Sequence, residues 1–397
     1  MIDQKLLIEL SHQLYPELKL IREHLHANPE LSFQEFETSA FIKAKLKEWG
    51  VSFTEGWVKT GIVATLKGEK SISNNRIAIR GDIDALPITE ENTTKYKSVN
   101  STCMHACGHD VHTTSVLGAC YLLNQLKHLW SGEVLFVFQP GEEKLPGGAS
   151  AMLKEGALGD PLPKAILGLH VEPSMNVGSL GFKPGKYMAS GDEIYIDIIG
   201  EGGHAAAPDK HADTVSIAAH LLVELQQIVS RLCPPSIPCV LSFGKVIADG
   251  ATNVIPSKVS MEGTFRTFDE DWRRKAHQKI RDIAAGMASA FNVEIIVNIV
   301  GGYPVLLNDS SLTKKIALAA EELVGKENVE KLAIRMSAED FSYYSQQMPA
   351  CFFRLGVRNE AKGITYPVHH AKFDADEEAV RFGALSLSYF AGLLLNN

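Results

Sequence analysis

A chain of 397 residues exceeds the size at which one hydrophobic core usually keeps growing, so two domains are expected. Hydrophobic content of 45% and charged content of 22% are those of a soluble globular protein. With 39 Lys and Arg against 47 Asp and Glu, the net charge is −8 and no basic block stands out, which argues against nucleic acid or an anionic membrane as a partner. Residues 1–10 lack the charged start and long apolar run of a secretion signal, and no later run reads as long enough to cross a bilayer. Six cysteines, at 103, 107, 120, 233, 239 and 351, are too sparse for a disulfide framework and suit a reducing compartment, so a cytoplasmic enzyme is expected.

Residues 1–50 read as helical: Leu6, Leu7, Leu10 and Leu14 recur at helical spacing, and a second amphipathic stretch covers 38–49. Between them, His24 to Leu31 looks like a helix end and turn, where His24 and His26 read at least as well as solvent-facing polar residues flanking Leu25 as they do as residues with a role in chemistry. Residues 76–80 form an apolar strand ending in Gly81-Asp82-Ile83-Asp84. A second, 134–138, ends at Gln139-Pro140-Gly141-Glu142-Glu143, and a third, 165–169, ends at His170. A helix over 111–126 separates the first two, so a mostly parallel sheet covered by helices is expected. All three strands place acids or imidazoles at their carboxyl ends, where open α/β sheets build their sites.

The pattern changes near Gly185. A strand over 193–200, a helix over 214–231, strands over 239–246 and 257–266, a helix over 271–291 and a strand over 293–299 give a β-α-β-β-α-β order. Helix returns at 314–324, strand at 351–356, and a final helix covers 382–394. The expected organisation is a discontinuous catalytic domain, residues 1–186 and 300–397, interrupted by an inserted domain over 187–299.

Met104-His105-Ala106-Cys107-Gly108-His109-Asp110 gathers a thiol and two imidazoles beside an acid. Gly108 allows a tight backbone, so Cys107 and His109 can turn toward one centre. Glu142-Glu143 offers two carboxylates, one able to bind metal while the other stays free as a base. His170 and one of the His369-His370 pair would complete a shared site suited to zinc or manganese-type ions. Any one of these histidines alone reads as an ordinary structural or solvent residue. The joint clustering of Cys107, His109 and Glu143 at strand ends carries the metal reading, whereas Cys120, Cys233, Cys239 and Cys351 read as core or surface residues.

With these motifs in place, the chain resembles the M20 metallopeptidase-like amidohydrolases, and within them the aminoacylase, hippurate hydrolase and auxin-conjugate hydrolase branch. The resemblance covers nearly the whole chain. Its motifs are Gly81 through Pro87, Met104 through His109, Gln139 through Glu143, Gly203-His204-Ala205-Ala206-Ala207-Pro208, Thr252-Asn253-Val254-Ile255-Pro256, Glu262-Gly263-Thr264-Phe265-Arg266 and Ser337-Ala338-Glu339-Asp340-Phe341. It implies a di-metal peptidase-like catalytic domain with an inserted lid and dimerisation domain, holding two divalent metal ions per subunit (zinc or manganese, with cobalt or nickel substituting in vitro). Cys107 looks like the ligand shared by both metals, and His109, Glu143, His170 and His369 match the remaining ligands. His370 departs from the small or polar residue often found after the last ligand, so the final ligand is one of that pair. Cys103 and His105 mimic the ligand spacing one step upstream without matching the family positions.

By the same resemblance Glu142 is the general base, and Asp84, with Asp82 as a further candidate, orients a ligand histidine. His204 matches a histidine that holds the developing oxyanion, often in the partner subunit's active site, while Asn253 and Arg266 match substrate contacts. Gly301-Gly302-Tyr303-Pro304 resembles a hinge or loop near a cleft that closes on substrate. The reaction implied is hydrolysis of a small N-acyl amino acid or conjugate by a homodimer paired through the inserted domain, with no organic cofactor. Alternatives are an N-acetyl-diaminopimelate deacetylase, a dipeptidase-like carboxypeptidase, or a relative that has lost activity. A nucleic-acid or structural-zinc module would need a basic patch or a closed four-ligand site, and neither is present in the sequence.

Overall fold

The computed structural model describes residues 2–395. The fold is α/β and divides into two compact units. The larger is discontinuous, Met1–Gly185 with Leu307–Ala333 and Asp340–Asn397; the smaller is Lys186–Leu306 with Ile334–Glu339.

The larger unit is built on one eight-stranded sheet in the order Ser52–Trp57, Gly61–Lys67, Glu133–Gln139, Arg76–Asp82, Ile166–Asn176, Ala350–Arg358, Leu180–Phe182, Val329–Lys331. The four strands at its centre run parallel. Ile77, Ile79, Val134, Phe136 and Phe138 on them are buried, the continuous apolar pattern of a sheet covered on both faces. The sheet as a whole is mixed, with parallel pairings in the majority. Ser52–Trp57 and Gly61–Lys67, neither expected as a strand, close one edge antiparallel, and Leu180–Phe182 pairs antiparallel with Ala350–Arg358. One strand is longer than expected: it runs on from His170 to Asn176, so His170 sits within a strand and not at its end.

Three helices pack together at small residues. Asp3 caps Gln4–Ala27 by accepting from the Lys5 N–H at 2.9 Å. A Cβ on Gly118, in helix His109–Gln125, would lie 2.6 Å from the Ala384 Cβ and 2.9 Å from Leu18 Cδ2. One on Gly383, in helix Glu378–Leu395, would lie 2.2 Å from Ser115 Oγ. Absent side chains are what let these helices approach so closely. Contrary to the expectation of no spanning run, Glu378–Leu395 is long and apolar enough by length and composition to cross a bilayer. Its apolar window is 72% buried, packed as a core helix of this unit.

In the smaller unit an antiparallel sheet runs Cys239–Ala248, Lys258–Thr267, Ser190–Ile199, Glu294–Gly301. Ile194, Ile196 and Ile198 alternate with exposed Glu193 and Tyr195, and they share one apolar cluster with Leu221, Leu225, Ile280 and Ala284 of the helices Thr214–Leu225 and Glu270–Phe291. The helix expected over 214–231 stops at Leu225 and is followed by a π turn, Ile228–Leu232. Asp192 pins the second helix to the sheet. It accepts from Arg273 Nε at 2.9 Å and lies 2.7 Å from His277 Nε2.

Candidate metal centre

The turn before helix His109–Gln125 sets the first ligands. Gly108 has φ 80°, and a Cβ there would meet Val171 at 2.6 Å, so the left-handed turn and the tight fit both require glycine. Cys107 and His109 are thereby brought, with His170, to within 4.8 Å of one another at their ligand atoms; Cys107, Glu143 and His369 form a second such group. Cys107 belongs to both, so the donor set offers two cation positions flanking one sulfur.

The tautomers follow from the partners. His170 Nδ1 lies 2.8 Å from the Val171 carbonyl and donates to it, leaving the Nε2 lone pair 3.4 Å from Cys107 Sγ. His109 Nδ1 lies 2.9 Å from the Asp84 carbonyl and 3.1 Å from Asp84 Oδ1, which turns its Nε2 inward. That Nε2 and Glu143 Oε1 are buried without a hydrogen-bond partner, 4.0 Å apart. His369 Nε2 stands 3.4 Å from the same Glu143 oxygen. His370 turns elsewhere: it stacks on Tyr366 with ring centroids 4.6 Å apart, and its Nδ1 accepts from the Lys372 N–H. The geometry therefore brings His369, not His370, to the cluster.

The electrostatics favour a cation there. Cys107 and the Glu143 carboxylate beside it pull the His369 imidazole up to about 10. Burial would push His109 down, but Asp82 and Cys107 hold it well above its ordinary value. Burial and the Glu143 charge raise the Cys107 thiol. Orphaned buried donor atoms and imidazoles that attract positive charge fit a dinuclear divalent centre.

Asp82, a candidate to orient a ligand, does something different. His112 donates Nδ1–H to Asp82 Oδ1 at 2.6 Å and accepts the Val171 N–H at Nε2, so both its nitrogens are engaged and it is no ligand. Asp82 Oδ2 takes Arg80 Nη1 at 2.7 Å. Burial raises the Asp82 carboxyl, yet Arg80, His109 and His112 together hold it well below the usual range. Arg80 also donates to Asp340 at 2.6 Å and to Gln139 at 2.8 Å. The Asp340 N–H reaches Glu142 Oε1 at 3.4 Å, and Glu142 is buried within 4.8 Å of the ligand atoms of His109 and Glu143. Arg80 and His112 escaped the sequence reading. His112, three residues from His109 on the same helix, carried a spacing signal; Arg80 carried none.

The solvent-facing reading fails for His26 and holds for His24. His26 is fully buried, with Nδ1 2.8 Å from Asp110 and Nε2 3.3 Å from Glu90; it does not face solvent. His24 is exposed, with its ring stacked on Phe41. Cys103 and His105 are buried, and burial pushes the Cys103 thiol up to about 11 and His105 down to about 4.

His204, Asn253 and Arg266 lie in the smaller unit. His204 pairs with Val254 in a short two-strand ladder, and the Asn253 carbonyl accepts the Ala205 N–H at 3.0 Å. The Ala206 N–H donates to His204 Nδ1 at 3.1 Å, so His204 presents Nε2–H as a donor. Arg266 donates Nε to Thr264 Oγ1, while the nearby Asp192 carboxylate is paired with Arg273.

A buried thiol, imidazoles and carboxylates on two shared-donor positions, with a carboxylate left beside them, define a metal-dependent hydrolase. Residues 78–392 match the model of peptidase family M20/M25/M40, and the chain belongs to that family as an M20-type metal-dependent amidohydrolase. It is 39% identical over 370 residues to the N-acetyl-L-cysteine deacetylase of Bacillus subtilis (strain 168), covering 93% of this chain and 85% of that one. It is 34% identical over 374 residues to thermostable carboxypeptidase 2 of Saccharolobus solfataricus, covering 94% and 93%. A solved dinuclear metal-binding M20 peptidase of Bacillus subtilis has a TM-score of 0.82 at 33% identity, over 97% of this chain and 99% of that one.

Proposed function

We propose that the protein hydrolyses the amide bond of small N-acyl amino acids, in the manner of the aminoacylase and hippurate hydrolase branch, releasing a carboxylic acid and a free amino acid. The observation that carries this reading is Glu142, buried beside a complete donor set yet outside both Cys107-sharing groups. Cys107, His109, Glu143, His170 and His369 would hold two divalent cations, zinc or manganese. Those cations supply Lewis-acid activation of the substrate carbonyl and of water. Asp84 fixes the His109 ring so that Nε2 faces inward. Glu142 takes the proton of the attacking water and passes it to the departing nitrogen. His204 Nε2–H is assigned the tetrahedral oxyanion, and Arg266, with Asn253, the polar groups of the substrate.

The relative that deacetylates N-acetyl-L-cysteine supports the N-acyl reading, and the carboxypeptidase relative makes dipeptide cleavage the competing one. We further infer a homodimer through the inserted unit, whose exposed Val246, Ile247 and Ile296 offer apolar surface. The test is amino-acid release from N-acetyl, N-benzoyl and longer N-acyl amino acids, N-acetyl-L-cysteine among them, alongside dipeptides, before and after metal stripping. Metal-dependent turnover of N-acyl amino acids supports the reading; turnover of dipeptides alone replaces it.

A further inference from the structure

Glu142 sits in a turn anchored on both sides by carboxylates. On one side the Glu143 N–H donates to Asp84 Oδ2 at 3.0 Å. On the other, the Gly141 N–H donates to Glu35 Oε1 at 2.9 Å, from a residue 106 positions earlier in the chain. Glu35 is fully buried and its carboxylate is filled: Oε1 also accepts the Phe33 N–H at 2.7 Å, and Oε2 accepts the Thr60 hydroxyl at 2.7 Å. The fit is tight. Phe33 adopts φ 65°, unusual for a phenylalanine, and its ring lies where a Cβ on Gly141, itself at φ 62°, would come within 2.4 Å. The same segment reaches the second anchor, because Ser32 Oγ donates to Asp84 Oδ2 at 2.6 Å. The arrangement is costly, since burial, with the Asp84 charge adding to it, pushes the Glu35 carboxyl up to about 7. A buried acceptor held at such expense, bonded to backbone rather than to a cation, is suited to positioning.

We propose that Glu35 is a positioning residue: by holding the Gly141 amide, it sets the turn that aims Glu142 at its proton and Glu143 at the cation. The inference rests on the roles proposed for those two residues. Glu35 touches neither substrate nor metal.

The test compares Glu35→Asp, Glu35→Gln and Glu35→Ala in the full chain, reading Gly141 amide hydrogen exchange, zinc affinity of the stripped protein, and kcat and KM. Aspartate keeps the charge but falls one methylene short of Gly141, whereas glutamine keeps the reach and the acceptor oxygen. Glu35→Asp is expected to speed Gly141 exchange by about tenfold or more and weaken zinc by about tenfold, with kcat falling further than KM moves. Glu35→Gln should recover most of each loss. Glu35→Ala, where it folds, should match Glu35→Asp. The inference is overturned if Glu35→Asp leaves zinc affinity and Gly141 exchange at wild-type values. It is equally overturned if Glu35→Gln is as impaired as Glu35→Asp, because charge or packing would then matter and reach would not. If the wild type turns over no N-acyl amino acid, the functional reading fails, while the exchange and zinc arms still decide the role of Glu35.

Discussion

Replacing Arg80 with methionine should destabilise the larger unit severely. The guanidinium is fully buried and bridges Asp82 at 2.7 Å and Asp340 at 2.6 Å, both of them fully buried, while its Nε holds Gln139. Methionine preserves much of the volume and leaves two carboxylates facing each other without their cation. Breaking a buried pair by deleting one partner costs about 3–5 kcal/mol, against a total of about 5–15 kcal/mol for a domain. The Asp82 carboxyl lies well below its ordinary value, so this contribution is present above about pH 4 and fades as pH falls and the acid is protonated. The gap between wild type and Arg80→Met should thus be widest near neutral pH and narrow toward pH 3. Urea unfolding in a Trp272→Phe background isolates the larger unit, since Trp49, Trp57 and Trp130 all belong to it and Trp272 does not. Adding Asp340→Asn should restore about 1 kcal/mol or more by removing one orphaned charge. A loss below about 1 kcal/mol for Arg80→Met, or no recovery in the double variant, would refute the reasoning.

Three further expectations concern other parts of the molecule. In the smaller unit, burial raises the Asp192 carboxyl but hydrogen bonds from His277 and Arg273 hold it low, so its stabilisation is present above about pH 4 and lost below. Asp192→Asn should cost about 3 kcal/mol at pH 7 and flatten the acid limb of the Trp272 fluorescence transition; a variant curve parallel to wild type at every pH would count against this. Gly118→Ala places a Cβ 2.6 Å from that of Ala384 and should cost about 1–3 kcal/mol, partly recovered by adding Ala384→Gly. Strict additivity of the two changes in thermal melts would show that the helices do not meet there. Loading the stripped protein with zinc at pH 7 should release about three protons, from His109, His369 and the Cys107 thiol, and raise Tm. Calorimetry in buffers of different ionisation enthalpy counts them, and zero release would contradict the assigned donors.

What the sequence made legible was local. The turn at Gly108, the apolar strands feeding Asp82 and Gln139, and the order of elements across 190–301 follow from periodicity and from residue types at strand ends. Contacts between distant segments were not legible. Glu35 meets Gly141 across 106 residues, and Arg80 meets Asp340 across 260, so nothing in either local pattern marks the pair. His26 looked polar and therefore solvent-facing, yet Asp110, Glu90 and Arg22 satisfy it inside the core. Residues 52–57 lacked the apolar run of a buried strand because Ser52–Trp57 lies at a sheet edge and is largely exposed, whereas the buried, largely apolar Gly61–Lys67 did carry a strand signal. The choice between His369 and His370 needed backbone geometry: His369 adopts φ 65°, which turns neighbouring imidazoles in different directions.

The most direct test measures kcat and bound metal on the same preparations of wild type and Glu142→Gln. With Glu142 as proton carrier and not as a ligand, the variant should keep two equivalents of metal while kcat falls by about 10²–10⁴. A variant that keeps its metal and its kcat, or that loses rate only because it loses metal, would contradict the role assigned to Glu142.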